Sequence, residues 1–334
     1  MKRIGIKEVA AAAGVSITTV SHALNDKGRL PEETRERVRS VAAALGYRPS
    51  APARSLAGGR TGILALTVSR VEALPFSLAD FEYFAQLMNG ASTTALEQGY
   101  ALVLAPSAAG PDLLDGVPLD GAIVVDPVRG DRTLARLHER GVPVVTTGRE
   151  PDGAEDAPWV DNDHIAGTRS ILDHLAAAGA RRVALITSPP VHSYTADSLD
   201  AYRAWCRARG TEPEVATVTG SLTEGEGYAA ALDLLDRDDP PDGIYATLDR
   251  LALGALLAAE ARGVDVPGEL LVAGCTDSHA SRGARPALTA LSLDPEQIGV
   301  EAVETLIALA EGRDERPPHR YVPTTIVPRA SSSR

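Results

Sequence analysis

Cysteine is scarce: Cys206 and Cys275 are the only two in 334 residues. One pair cannot make a disulfide scaffold, and two isolated thiols read as small buried apolar side chains rather than as a bridge or a metal site. Redox chemistry is thereby set aside. No apolar run approaches the roughly 18 residues that a membrane helix needs, and the N-terminal stretch lacks the apolar core of a secretion signal. A cytoplasmic chain with no membrane partner is expected. Catalytic signatures are missing too, with no Gly-x-Ser-x-Gly elbow, Walker loop or His-Glu-x-x-His helix. The sequence therefore predicts no enzyme, no metal and no cofactor. Lysine occurs only at Lys2, Lys7 and Lys27, with arginine supplying the other basic groups, which fits an Arg- and Ala-rich coding bias.

What is present is an uneven charge. The net charge is −12, which on its own argues against a nucleic-acid partner. Residues 1–60, however, hold eleven basic groups (Lys2, Arg3, Lys7, Lys27, Arg29, Arg35, Arg37, Arg39, Arg48, Arg54, Arg60) against five acidic ones (Glu8, Asp26, Glu32, Glu33, Glu36), or +6, leaving −18 for the rest. A small basic head on a large acidic body suggests a nucleic-acid-binding module joined to a globular part. With 44% hydrophobic residues and this length, about two or three domains of roughly 150 residues each are expected.

In the head, Ile6, Val9, Ala10 and Ala13 fall at helical spacing and Gly14 stops the helix. Ser16 can cap a second helix, Ile17 to Leu24, whose apolar stripe is Val20, Ala23 and Leu24. The connection Gly14-Val15-Ser16 is so short that the two must cross sharply, as in a helix-turn-helix. Pro31 and acidic Glu32 and Glu33 open a third helix with the stripe Val38, Val41, Ala42 and Leu45, closed by Gly46. The outward face of the second helix presents Ile17, Thr18, Ser21 and His22, which folding does not need. In a major groove Thr18 and His22 could reach base edges and Ile17 a thymine methyl, while Ser16, Ser21 and Asn25 could bond phosphates. The alternative is a solvated helix face.

The run Ile6-Lys7-Glu8-Val9-Ala10, then Ala13-Gly14-Val15-Ser16-Ile17-Thr18-Thr19-Val20-Ser21-His22-Ala23-Leu24-Asn25, Thr34-Arg35-Glu36-Arg37-Val38 and Leu45-Gly46-Tyr47-Arg48-Pro49 resembles the headpiece of the LacI/GalR family of transcription regulators. Its second helix is most similar to the purine-repressor branch. The resemblance implies base contacts from Ile17, Thr18 and His22 and backbone contacts from Lys7, Ser16, Thr19, Ser21, Asn25 and Thr34. Residues 48–60 can form a helix of about two turns, with Ser50 as cap and Gly58-Gly59 as stop, too short to be stable alone. By resemblance this is a hinge helix that pairs with its twin in a homodimer on operator DNA. Ala53, Arg54 and Leu56 then lie in the minor groove, with Leu56 as the wedge. A plain interdomain linker is the alternative.

From Gly62 onward short apolar runs alternate with amphipathic stretches, as in repeated βαβ units. Strands are expected near residues 63–68, 101–104, 122–125, 142–145, 183–186, 214–218, 243–246 and 270–273. Helices are expected near 81–98, 132–140, 166–178, 199–209, 229–235 and 251–262. Two sequential α/β halves suit a binder of small molecules in a cleft at the strands' carboxyl ends. Asp161-Asn162-Asp163, His174-Leu175, Gly179-x-Arg181-Arg182-Val183-Ala184, Asp249-x-x-Ala252-Leu253-Gly254, Val266-Pro267-x-Glu269-Leu270-Leu271-Val272-Ala273-Gly274 and Pro286-Ala287-Leu288-Thr289-Ala290 are similar to the family's periplasmic-binding-protein-like effector domain. The resemblance implies two doubly wound parallel-sheet subdomains. The division expected is a headpiece over 1–47, a hinge over 48–60 and an effector and dimerisation domain over 61–334. Its N-subdomain would take about 61–160 and 290–322, and its C-subdomain about 161–289 and 323–334.

The pocket departs from the family pattern. Ser198 stands where an arginine is usual, Leu248 where an asparagine is usual, and Thr276 where an aspartate is usual, with Asp277 beside it. Losing those polar groups makes a common sugar effector less expected and points to a more apolar pocket or to none in use. Candidate effector contacts are Asp161, Asp163, Ser198, Asp249, Thr276 and Asp277, although Asp161, Asp163 and Asp249 could instead cap helices. Gly225-Glu226-Gly227-Tyr228-Ala229-Ala230 only superficially matches a dinucleotide loop and reads as a helix start. The acidic run from Asp236 to Asp242 lacks calcium-loop spacing. The function expected is a sequence-specific repressor binding a pseudo-palindromic operator as a homodimer, modulated by a small-molecule effector. An effector-independent regulator and a solute-binding protein for transport are the alternatives.

Overall fold

The structure is a computed structural model that describes residues 5–24, 29–45, 47, 60–69, 82–105, 114–313 and 319–333. Asn25 and the hinge residues Ala53, Arg54 and Leu56 lie outside the described residues. The chain divides into two units, residues 1–63 with 118–120, and residues 64–117 with 121–334.

The first unit contains α1 (Ile6–Ala13), α2 (Ile17–Leu24) and α3 (Glu32–Ala44). Gly14 ends α1 in the left-handed conformation at φ 67°, its N–H bonding the carbonyls of Ala10 and Ala11, and the chain turns within two residues into α2. Ser16 Oγ accepts from the Thr19 N–H at 3.0 Å and caps α2. Val9, Ala10, Ala13, Val20, Ala23, Val38 and Ala42 form the small core that the helical spacing predicts.

The second unit holds two six-stranded sheets. The first has the strand order β11-β5-β4-β3-β1-β2, from β1 (Ile63–Val68), β2 (Ala101–Ala105), β3 (Gly121–Val125), β4 (Val144–Thr147), β5 (Trp159–Asn162) and β11 (His319–Val322). The other runs β12-β10-β9-β8-β6-β7, from β6 (Val183–Thr187), β7 (Val215–Thr217), β8 (Gly243–Ala246), β9 (Leu271–Cys275), β10 (Thr289–Ser292) and β12 (Thr325–Val327). Pairing is parallel, with Leu64 opposite Gly121 and Leu185 opposite Tyr245, except that β12 runs antiparallel to β10. Helices cover the sheets: α4 (Glu82–Glu97), α5 (Arg132–Glu139) and α11 (Pro295–Ala310) on the first; α6 (His164–Ala177), α7 (Ser193–Arg209), α8 (Glu224–Leu235) and α9 (Asp249–Arg262) on the second, where the short α10 (His279–Gly283) follows β9.

Strand pleating explains how each sheet is buried on both faces. In β6, Val183 and Leu185 enter the core shared with α6 and α7, and Ala184 and Ile186 the core shared with α8 and α9. Glycines let the covering helices approach closely. A Cβ at Gly254 of α9 would overlap the Glu224 carbonyl at the start of α8, and one at Gly90 of α4 would overlap the Glu296 carbonyl of α11. Gly225 and Gly227 lie inside α8, which starts at a capping box between Thr223 and Glu226, as a helix start and not a nucleotide loop. Cys206 and Cys275 are free and buried.

The chain passes between the halves three times: after β5 into α6, after β10 into α11, and between β11 and β12. Asn162 sits at this junction, buried, and its side-chain amide donates to the Leu293 carbonyl at 3.0 Å and the Val322 carbonyl at 2.8 Å. One carboxamide thus ties all three crossovers. Asn162→Ala leaves two buried carbonyls without a donor and should cost about 2–4 kcal/mol in equilibrium urea unfolding. A loss below about 0.5 kcal/mol, within the range of an ordinary surface substitution, would remove this role.

Candidate functional site: a helix-turn-helix face and a cleft between two sheets

In the headpiece, Val20 and Ala23 are fully buried, which turns Ile17 and Thr18 outward; Ile17 is 44% exposed despite being apolar. Ser21 and His22 flank them half-buried on the next turn. Lys7 is exposed on α1 and Thr34 half-buried on α3. Ser16 and Thr19 share a hydrogen bond between hydroxyls at 2.9 Å, in addition to the cap. The face offers one apolar group and several hydrogen-bonding ones on a rigid, capped helix.

In the body a cavity of about 260 Å³ opens between the two sheets at their strands' carboxyl ends. Asp161, Asp249, Thr276 and Asp277 line it, as does Leu248. Two expected contacts do not. Asp163 is exposed and caps α6, accepting from the Ala166 N–H at 2.9 Å. Ser198 is buried between α6 and α7, where its hydroxyl accepts from Thr168 at 3.1 Å. A serine in that place is too short to reach the cleft, and packing uses its hydroxyl instead.

More of the cavity's lining surface is apolar than polar, yet several charged and hydrogen-bonding side chains face it. Asp126, Glu82, His164, His192, Tyr194 and Tyr83 line it as well, none of them signalled by the sequence reading. Asp126 directly follows β3, so the rule that ligands gather at carboxyl ends of parallel strands could have found it. His192 is the N-cap of α7 and Tyr194 lies in its first turn, the helix starting at Ser193 and not near Leu199. Burial, and secondarily the charge of Asp161, lift the Asp126 carboxyl from its ordinary value to about 7. Burial also raises Asp249, against hydrogen bonds from Ser278, the Arg250 backbone and Thr276 that favour its charged form. Asp126 and Thr276 both hold positive φ, 48° and 71°. For a β-branched threonine this is a strained conformation of the kind that collects at ligand sites.

Side chains cross the cleft directly. Arg149, after β4, pairs with Asp197 of α7 and lies 3.5 Å from Asp161, and its backbone N–H donates to Ser193 Oγ at 3.1 Å. Glu82 of α4 accepts from the His279 backbone N–H, and from Arg282 at 3.0 Å. The first of these bonds, more than the second, holds the Glu82 carboxyl below its ordinary value.

Residues 5–50 match the model of bacterial regulatory proteins of the lacI family, and residues 172–332 that of a periplasmic binding protein-like domain. The chain is 32% identical over 339 residues to the HTH-type transcriptional regulator CelR of Thermobifida fusca, covering 99% of this chain and 98% of that protein. The chain belongs to the LacI family. It is a helix-turn-helix regulator of transcription. It is also 27% identical over 333 residues to the transcriptional repressor PurR of Glaesserella parasuis serovar 5, covering 96% and 94% of the two chains. Among solved structures, a CelR–cellobiose complex superposes with a TM-score of 0.74 at 30% identity, covering 98% of this chain and all of that one. The lac repressor dimer bound to operator and the anti-inducer ONPF reaches 0.82 at 23% identity, covering both chains completely, which shows the shared fold. Among the described residues no helix is long and apolar enough to cross a membrane, and no group of three or more His, Cys, Asp or Glu is placed to hold a metal.

The raised Asp126 carboxyl has a consequence for stability. A carboxyl whose folded-state value lies above its unfolded one stabilises the fold most below the unfolded value of about 4, and that contribution fades as pH rises toward about 7. Thermal melts should therefore show the melting temperature of Asp126→Asn losing less than that of the parent between these pH values. Parallel curves would contradict the assignment.

Proposed function

We propose that this LacI-family regulator is a cytoplasmic repressor that binds a pseudo-palindromic operator as a homodimer and is modulated by a small molecule held in the cleft. The observation that carries the DNA reading is the outward face of α2, where an exposed isoleucine stands beside threonine, serine and histidine on a helix fixed from behind by Val20 and Ala23. In this reading Ile17, Thr18 and His22 touch bases, and Lys7, Ser16, Thr19, Ser21, Asn25 and Thr34 touch the backbone. Ala53, Arg54 and Leu56 form the hinge contact in the minor groove, where two symmetric leucine wedges favour a flexible, C·G-containing central step. Residues 1–47, 48–60 and 61–334 are the corresponding domains.

Supporting the effector reading are the aspartate-lined cleft and the resemblance to CelR, whose structure holds cellobiose. Supporting the dimer is the lac repressor, seen as a dimer on its operator. The protein acts by binding and performs no chemistry of its own. The helix-turn-helix headpiece tells against a transport role.

Genomic footprinting with the full chain should find paired, inverted half-sites, and a single asymmetric half-site would overturn the reading. His22→Ala should lose about 1–3 kcal/mol of discrimination at one base pair per half-site, while Arg54→Ala should weaken all sequences alike and flatten the salt dependence. Leu56→Ala should bind without bending the centre; a normal bend would refute the wedge.

A further inference from the structure

The cleft carboxylates are not equally satisfied. Asp277 lies in ion-pair range of Arg329 at 2.8 Å and of Arg282 at 3.5 Å, although its Oδ1 makes no hydrogen bond, and Glu82 pairs with Arg282. Asp249 takes hydrogen bonds from Ser278, Thr276 and the backbone of Arg250, whose side chain also lines the cavity. The opposite corner differs. Asp126, Asp161 and Asp197 share a single guanidinium, that of Arg149, which spans Asp161 and Asp197; His164 lies 3.4 Å from Asp161, which also accepts from the Asn162 backbone N–H at 2.8 Å, and the phenols of Tyr83 and Tyr194 face Asp126. No hydrogen bond or ion pair from a described residue reaches the Asp126 carboxylate, which lines the cavity at the end of β3.

A second observation points the same way. His192 is 6% exposed and lines the cavity, and its ring bonds to the backbone of Asp126 and Pro127. Its Nδ1 has no partner. Burial holds the imidazole toward its neutral form, in which one ring nitrogen is an acceptor. The ring stacks on Tyr194 with centroids 5.4 Å apart and planes 9° from parallel. This corner thus combines two carboxylates and a stacked aromatic pair, with an unfilled ring nitrogen buried beside them. An anion is excluded from it by charge. A hydroxyl brings one donor, whereas an ammonium group brings three donors, no acceptor and the positive charge that buried carboxylates and aromatic faces lack.

We propose that the effector carries a protonated nitrogen, seated between Asp126 and Asp161 beside the His192–Tyr194 stack. This rests on the reading of the cleft as an effector site and specifies its ligand as a small amine on a ring-sized polar body, of the amino-sugar class. A cavity of about 260 Å³ lies just below the usual ligand-pocket range of about 300–1,000 Å³, which favours a small body of this kind.

The test is calorimetry on the full chain with matched pairs that differ only in an amine for a hydroxyl: glucosamine with glucose, and the β-1,4-linked glucosamine disaccharide with cellobiose. The amine of at least one pair should bind about ten-fold tighter than its alcohol, about 1.4 kcal/mol. In Asp126→Asn that preference should vanish while the alcohol still binds, which also shows that the variant is folded. Independently of any variant, amine binding to the parent at a pH about one unit below the amine's own pKa, where the free amine is already protonated, should release protons as Asp126 ionises, read from two buffers of different ionisation heat, and alcohol binding should release none. The proposal is overturned if alcohols bind as tightly as amines, if the preference survives in Asp126→Asn, if no proton is released, or if neither class binds at millimolar concentration. Alcohol binding that alters operator affinity would leave the effector reading standing without the amine, and operator footprints that form without any ligand judge the DNA reading separately.

Discussion

Two sheets joined by three crossovers can move against each other only as far as those crossovers bend, and the Asn162 carboxamide holds all three together. It is buried at 1% exposure and spends both amide hydrogens on carbonyls of the other two crossing strands. Beside it, Asp161 faces the cavity and Asp163 starts α6, so three consecutive residues serve the cleft, the pivot and the helix cap. A pivot this compact makes motion of the halves a hinge motion, with the cleft as the place where it is felt.

The contacts across the cleft then act as latches at a distance from that pivot. Arg149 with Asp197 and Glu82 with Arg282 and His279 join the halves by charge, which a ligand of the right chemistry can reinforce or compete with. Regulation requires only that such a ligand favour one arrangement of the halves, and that operator affinity depend on that arrangement. The raised Asp126 carboxyl belongs to the same economy: a charge that burial in the cleft disfavours is one that a cation can restore.

The headpiece was legible in the sequence because each helix carries its own punctuation. Gly14 adopts the left-handed conformation that only an end needs, Ser16 caps, and the apolar spacing of Val9, Val20 and Val38 names the core. In the body, β1, β3, β6 and β8 were equally plain as short aliphatic runs. The crossing strands β5, β10, β11 and β12 were not, since they are three or four residues long and mix polar with apolar side chains, as in Trp159-Val160-Asp161-Asn162. The start of α7 was hidden for a related reason. Its first turns, Ser193 to Ser198, bury Ser193, Thr195 and Ser198 and show no apolar stripe. The site residues divided along the same line. Asp161, Asp249, Thr276 and Asp277 sit in motifs and line the cavity, whereas Asp126, His192 and Tyr194 meet there only through tertiary contact. Asp163 takes the helix-capping role left open as its alternative, and Ser198 packs into a helix interface, because motif position does not reveal whether a side chain points to the cleft.

The central claim is that the arrangement of the cleft sets the affinity for DNA. It is tested most directly by measuring operator binding of Arg149→Ala, which removes the latch to Asp197, against Arg181→Ala, an exposed arginine on the outer surface, at one fixed salt concentration. The account predicts that Arg149→Ala shifts operator affinity by about 1–3 kcal/mol, the usual size of allosteric coupling, and that Arg181→Ala leaves it unchanged. Equal affinities for both variants and the parent would contradict it.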